Sequence, residues 1–115
     1  MRLALCLLFL VGCLPLGPDL SDAEPIPPPE HTAESFAVIV ACVGFTEVRY
    51  SDLRWHVVYR PAIETSDGPR GGLRRGRDLY LIDRLRDNKY LANHEMLHAI
   101  LDDNSHDRPE WERCL

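Results

Sequence analysis

The sequence predicts an α+β domain: an N-terminal helix, a small three-stranded and mostly antiparallel sheet, a second helix, and a C-terminal loop stapled by a disulfide. Three observations predict it. Phe36, Ile39, Val40 and Val43 recur at i, i+3, i+4 and i+7, which is one buried helix face. Arg54–Arg60 alternates and is rich in aromatic and β-branched residues, as a strand is. Lys89–Leu101 carries a helical pattern that contains His94-Glu95-Met96-Leu97-His98. Two histidines four apart on a helix lie one turn apart on the same face.

The chain has 115 residues and a net charge of −5. That allows one domain once the N-terminus is set aside. The acidity argues against a nucleic-acid partner, because phosphate binding needs a basic patch. Met1–Gly12 is expected to be a signal, with Arg2 as its positive start and Leu3–Val11 as an apolar run too short to span a bilayer. Leu10-Val11-Gly12-Cys13 resembles the bacterial lipobox, which would make Cys13 the lipidated mature N-terminus. Residues 13–31 hold Pro15, Pro18, Pro25, Pro27, Pro28 and Pro29 among acidic residues and read as an extended tether. The domain proper is expected over 32–115. After loss of the signal with Cys6, and with Cys13 lipidated, Cys42 and Cys114 remain, and an isolated pair in an oxidising compartment usually bonds.

Within the domain, His31 or Thr32 begins the first helix and Gly44 ends it. Phe45–Leu53 reads as a loop with a turn at Ser51-Asp52. In the first strand, Trp55, Val57 and Tyr59 share a face, His56 takes the other, and Pro61 closes the run. Ala62–Arg70 reads as polar chain with a turn at Asp67-Gly68-Pro69. Gly71–Arg75 and Asp78–Asp83 form a hairpin around Gly76. Arg70, Arg74, Arg75 and Arg77 read as its solvated cations, with an anionic ligand as the lesser alternative. Asn88 is the expected N-cap of the second helix. Tyr90, Leu97, Ile100 and Leu101 are expected to pack on the sheet, while Leu91, His94, Glu95 and His98 form a second stripe.

That second stripe carries the chemistry. Imidazoles one turn apart can reach one metal ion together, and a carboxylate beside the first of them can act on water at that ion. A catalytic zinc site takes three protein ligands and leaves one position open. The helix runs out at Asp102-Asp103-Asn104-Ser105, with Asn104 as the expected left-handed residue, and His106 follows directly. His106 is the preferred third ligand because imidazole suits zinc, with Asp102, Asp103, Asp107, Glu110 and the distant His56 as alternatives.

His94–His98 followed by His106 resembles the zincin superfamily of HExxH metallopeptidases. The metzincin branch would place glycine at position 101 and histidine at position 104, where this chain has Leu101 and Asn104. The layout is more similar to small bacterial exported lipoproteins with a minimal zincin-like domain, through Cys42, Trp55, Gly72-Leu73, His94–His98, His106-Asp107 and Cys114. The resemblance spans about Glu34–Cys114. It implies a zinc-dependent peptidase with His94, His98 and His106 on the metal and Glu95 as general base. Tyr59, Tyr80, Arg108 and Trp111 are the candidate donors to the oxyanion. The expected setting is a monomer in the cell envelope, held to the membrane by its lipid and acting on a peptide or protein. The rival reading is a zinc-binding envelope lipoprotein or interaction module without turnover.

Overall fold

The apolar stripe of the first helix folds as its spacing predicts. The computed structural model describes residues 17–115, so the expected signal and the lipidation residue Cys13 lie outside the described residues. The elements run β1 (Glu24–Pro25), α1 (Thr32–Val43), β2 (Arg54–Val58), β3 (Ile63–Thr65), β4 (Gly68–Arg70), β5 (Gly72–Arg75), β6 (Asp78–Ile82), α2 (Lys89–Leu101) and α3 (Glu110–Arg113). Short 3₁₀ turns stand at Tyr50–Asp52 and Asp83–Leu85. Phe36 and Ile39 are buried, and Gly44 takes the left-handed conformation that closes α1, donating its N–H to the Val40 carbonyl at 2.8 Å.

The sheet corrects the expectation of three strands, while two of its three pairings are antiparallel as expected. It has four, in the order β1-β2-β6-β5, and the central pair β2–β6 is parallel. The reason is burial on both faces. Val57, Val58, Leu79, Leu81 and Ile82 are fully buried, so Val57-Val58 and Leu81-Ile82 break simple alternation as parallel strands do. Trp55, Leu79 and Leu81 turn one face to α1 and α2, where they join Met96, Leu97 and Ile100 in the main core. Val58 and Ile82 face the other side and pack with Ile63, Leu20 and Leu73. Each such aliphatic side chain contributes about 1.5–3 kcal/mol on full burial. The hairpin β5–β6 turns at Gly76 as expected, at φ 63°. Tyr59 lies beyond the end of β2 and is exposed, not part of its buried face.

Two stretches expected to lack partners have them. Residues 62–70 form an antiparallel ribbon, β3–β4, in which the Thr65 hydroxyl donates to the Gly68 carbonyl at 2.7 Å. The described part of the expected tether is extended, yet it lies on the domain. Glu24 and Pro25 pair with Val57 and His56 of β2, and a sheet edge is the one place a strand proline fits. Leu20, Ala23 and Ile26 pack against the two clusters, and Arg60 and Arg75 donate to the carbonyls of Asp19 and Pro18. Among the described residues no helix is long and apolar enough to cross a membrane.

The Cys42–Cys114 disulfide is formed as the cysteine count predicts, with a Cα–Cα distance of 5.7 Å. It joins the end of α1 to the residue that follows α3.

Candidate metal centre

The helix that carries the pentapeptide is fixed at both ends by its own sequence. At its start the Asn88 side chain accepts from the Leu91 N–H at 3.0 Å, the expected N-cap. Near its middle it approaches the sheet closely. Alternation along β5 turns Gly72 and Arg74 to the helix side, because they lie opposite Leu81 and Leu79. A Cβ on Gly72 would stand 3.0 Å from Leu91 and 3.1 Å from Glu95, so only glycine lets α2 seat this deeply. Glu95 is thereby pressed against β5 and is 4% exposed.

The end of the helix differs from the expectation. Asp102, not Asn104, takes the left-handed position, at φ 50°. Its N–H bonds the Ala99 carbonyl, and the Asp103 N–H bonds the His98 carbonyl, each at 3.2 Å. That pair of bonds is a Schellman turn with aspartate in the place usually held by glycine. Arg74 holds it from the sheet, donating to the Asp102 carboxylate, to Asn104 Oδ1 at 3.2 Å and to the Gly76 carbonyl at 2.6 Å. Arg74 is therefore largely buried and committed, not a solvated hairpin cation. The turn sets two of the candidate ligands at once. It brings the Asp103 carbonyl to His98 Nδ1 at 2.8 Å, which leaves Nε2 of that ring free to bind. The Asp103 carboxylate then accepts from the Ser105 N–H at 2.8 Å and turns the chain so that His106 comes back over the helix.

His94, His98 and His106 converge. One nitrogen of each ring lies within 4.8 Å of the other two, and Nε2 of His94 and Nε2 of His106 are 3.1 Å apart. Two ligand nitrogens on a tetrahedral ion with bonds of ~2.0–2.1 Å stand about 3.3–3.4 Å apart, so that pair is already close to binding separation. Trp111 of α3 closes the far side, its indole 4.4–4.7 Å from all three imidazoles between ring centres. Burial, then repulsion from His98 and His106, pushes the His94 pKa down to about 4. Burial lowers His98 as well, against the pull of the Asp103 carbonyl. Neutral imidazole is the form that binds metal. Burial pushes Glu95 up to about 7, and Arg70 and Arg74 draw it back down. Its Oε2 is buried without a hydrogen-bond partner. An unpaired buried carboxylate is costly. A cation held by the three histidines is one thing that would offset it, and on donor set, spacing and charge these residues fit a metal ion.

The other candidates are engaged elsewhere. His56 bonds Asp78 Oδ1 at 2.9 Å and stacks on Tyr80. Glu110 pairs with Arg108 at 3.2 Å, and Asp107 is exposed. Tyr59, Tyr80 and Arg108 lie outside the cleft, while Trp111 lies behind the histidines. Tyr90 corrects the packing expectation. It is 70% exposed and lines the cleft beside His94, since i, i+4 spacing places it on the histidine stripe. The cleft measures about 900 Å³ and runs between α2, β5 and the β3–β4 ribbon, with Gly17 and Pro18 at its edge. Trp111 was expected as an oxyanion donor and stands instead behind the imidazoles, Asp103 was an alternative ligand through its carboxylate and serves instead through its carbonyl on His98, and the close approach at Gly72 was not foreseen. Gly72 entered the sequence reading only through the Gly72-Leu73 pair of the resemblance, although a glycine inside a strand is itself a sign of close approach.

Comparison with known protein families, characterised proteins and solved structures returns no match.

Proposed function

We propose that this cleft is the active site of a zinc-dependent hydrolase acting on peptides. The observation that carries the reading is a buried carboxylate, Glu95, with an unpartnered oxygen, one residue from a three-histidine cluster in an open cleft. His94, His98 and His106 would hold the ion. Zinc, when bound, supplies Lewis acidity toward a carbonyl oxygen and toward water. Glu95 is the proton carrier. Its Oε2 takes a proton from the attacking water and passes it to the leaving amine. Tyr90 is the phenol in the cleft, placed to donate to charge developing on the carbonyl oxygen. Trp111 and the Asp103 carbonyl hold the imidazoles in place and touch no substrate.

The test compares the zinc-loaded protein with its Glu95→Gln variant on a broad peptide library, with metal content measured in both. Equal zinc and hydrolysis in the wild type alone are expected. Stoichiometric zinc with equal background hydrolysis in both would leave a zinc-binding protein without turnover. No zinc after loading at neutral pH would leave an interaction module.

A lipid on Cys13 would hold this cleft near a membrane. The chain is docked from Gly17 onward, and four residues extend about 14 Å at most. Cys13→Ser should move the protein from the membrane fraction to the soluble fraction, and unchanged fractionation would count against the anchor.

A further inference from the structure

Among the described residues, the cleft contains one arginine that the fold does not use. Of the two arginines that line it, Arg74 is consumed by Asp102, Asn104 and Gly76. Arg70, the last residue of β4, makes no side-chain hydrogen bond or ion pair among the described residues, although the cleft also holds carboxylates. The ribbon explains why. Arg70 lies opposite Ile63, and Glu64 lies opposite Pro69, so strand alternation sets Arg70 and Glu64 on opposite faces of the ribbon. Asp67 sits at the far tip of the ribbon, where its N–H bonds the Thr65 hydroxyl. Neither acid folds back onto Arg70. Glu95 feels the positive charge of Arg70 but is not ion-paired with it. A guanidinium with five donors is therefore left facing the cleft beside His94 and Glu95.

We propose that Arg70 determines specificity in this cleft by receiving a carboxylate of the peptide, either its C-terminal carboxylate or an acidic side chain next to the cleaved bond. This rests on the peptide-hydrolase reading above. A carboxylate matches the fork of one guanidinium in a bidentate pair. Arg74 is already spent on the helix end, so one free fork remains, and a single carboxylate of the peptide fills it. The position of Arg70 at the end of β4, next to β5, also sets where the charged group lies: on the ribbon side of the cleft.

Binding tests this without turnover. The zinc-loaded full chain carrying Glu95→Gln is titrated, by fluorescence anisotropy, with labelled alanine-rich hexapeptides in four forms: C-terminal carboxylate or amide, each with an internal Glu or Gln. At least one carboxylate form should bind about tenfold more tightly than the peptide with neither, and the four forms show which carboxylate is recognised. Adding Arg70→Met, which keeps the aliphatic stem, should cut that ratio to within about twofold and leave the uncharged peptide unchanged. Adding Arg70→Glu should reverse the preference toward a peptide with Lys at the same position. A carboxylate preference that persists in Arg70→Met would place recognition on the metal and overturn the assignment. So would equal binding of all four peptides by the parent. Carboxylate selection through Arg70 without hydrolysis by the wild type would keep this assignment and remove the peptidase. Hydrolysis without selection would do the reverse.

Discussion

At Glu95, burial sets the pH response of the metal-free protein. Its pKa is raised from 4.5 to about 7 by desolvation, so between those values the folded chain holds a proton that the unfolded chain has released. Stability from this group therefore falls as pH rises through 4.5 to 7 and levels off above. The loss is roughly 2–4 kcal/mol at pH 8. His94 acts in the opposite sense, because its pKa is lowered to about 4 and the unfolded chain takes up a proton first as pH falls below 6.5. Glu95→Gln cancels the first effect and keeps the second. In chelator, the variant should gain on the wild type between pH 5 and pH 8 by that amount in urea unfolding, and parallel pH profiles would show that Glu95 is not desolvated. His106 gives the complementary test. It is exposed, so His106→Ala should leave the unfolding midpoint nearly unchanged. It should weaken zinc binding by more than the roughly 10–100-fold that losing a residue hydrogen-bonded to a ligand costs, whereas His56→Ala should leave zinc affinity unchanged. The convergence of His106 on His94 and His98 was legible from its place just after a polar helix stop. The residue that makes the turn was not, because an Asp102 in the left-handed region depends on Arg74 reaching it from a distant strand.

Among the elements, those governed by local rules were legible and those governed by pairing were not. α1 and α2 follow from apolar spacing, Gly44 and Asn88, and the β5–β6 hairpin follows from Gly76 between two strand-like runs. The parallel pairing of β2 with β6 joins segments more than twenty residues apart, and nothing in either segment names its partner. The β3–β4 ribbon was hidden by its own polarity, since three-residue strands with a proline at the edge score as loop. The docked N-terminal strap was hidden for the same reason, as two paired residues anchored by scattered Leu20, Ala23 and Ile26 leave no periodic trace. Where β5 meets α2, the contact rests on an absent side chain. Gly72→Ala would place a Cβ 3.2 Å from the Tyr80 carbonyl, which cannot move aside, as well as against Leu91 and Glu95. The helix must then shift, at a cost of about 1–3 kcal/mol. The expected result is a lower unfolding midpoint together with reduced hydrolysis at full zinc occupancy. At Gly71 the obstruction is the end of the Leu85 side chain, so Gly71→Ala should cost less, and equal losses at both positions would argue that α2 is not seated on Gly72.

For the molecule as a whole, the disulfide decides whether the site stays assembled. Two of the three candidate ligands stand on a packed helix, but His106 stands on a segment without regular structure between Asp103 and α3. That segment is fastened at its start by the Schellman turn. At its end it is fastened by Trp111 against the histidines, by Glu110 with Arg108, and by Cys114 bonded to Cys42. α3 is a single turn and cannot hold itself in place. The bond closes a loop with a sequence separation of 72, for which chain entropy gives about 4 kcal/mol, in a domain too small to have much stability to spare. Replacing both cysteines with serine should therefore lower unfolding stability by ~2–4 kcal/mol. It should also weaken zinc binding about tenfold or more, measured against a competing chelator at a temperature where the variant is still folded, because the third ligand must then be ordered on binding. His106→Ala separates the two effects. In that background the cysteine replacements should still lower stability but should no longer change zinc affinity. A further loss of affinity there would mean that the bond acts on His94 and His98 through Trp111, and not by delivering His106.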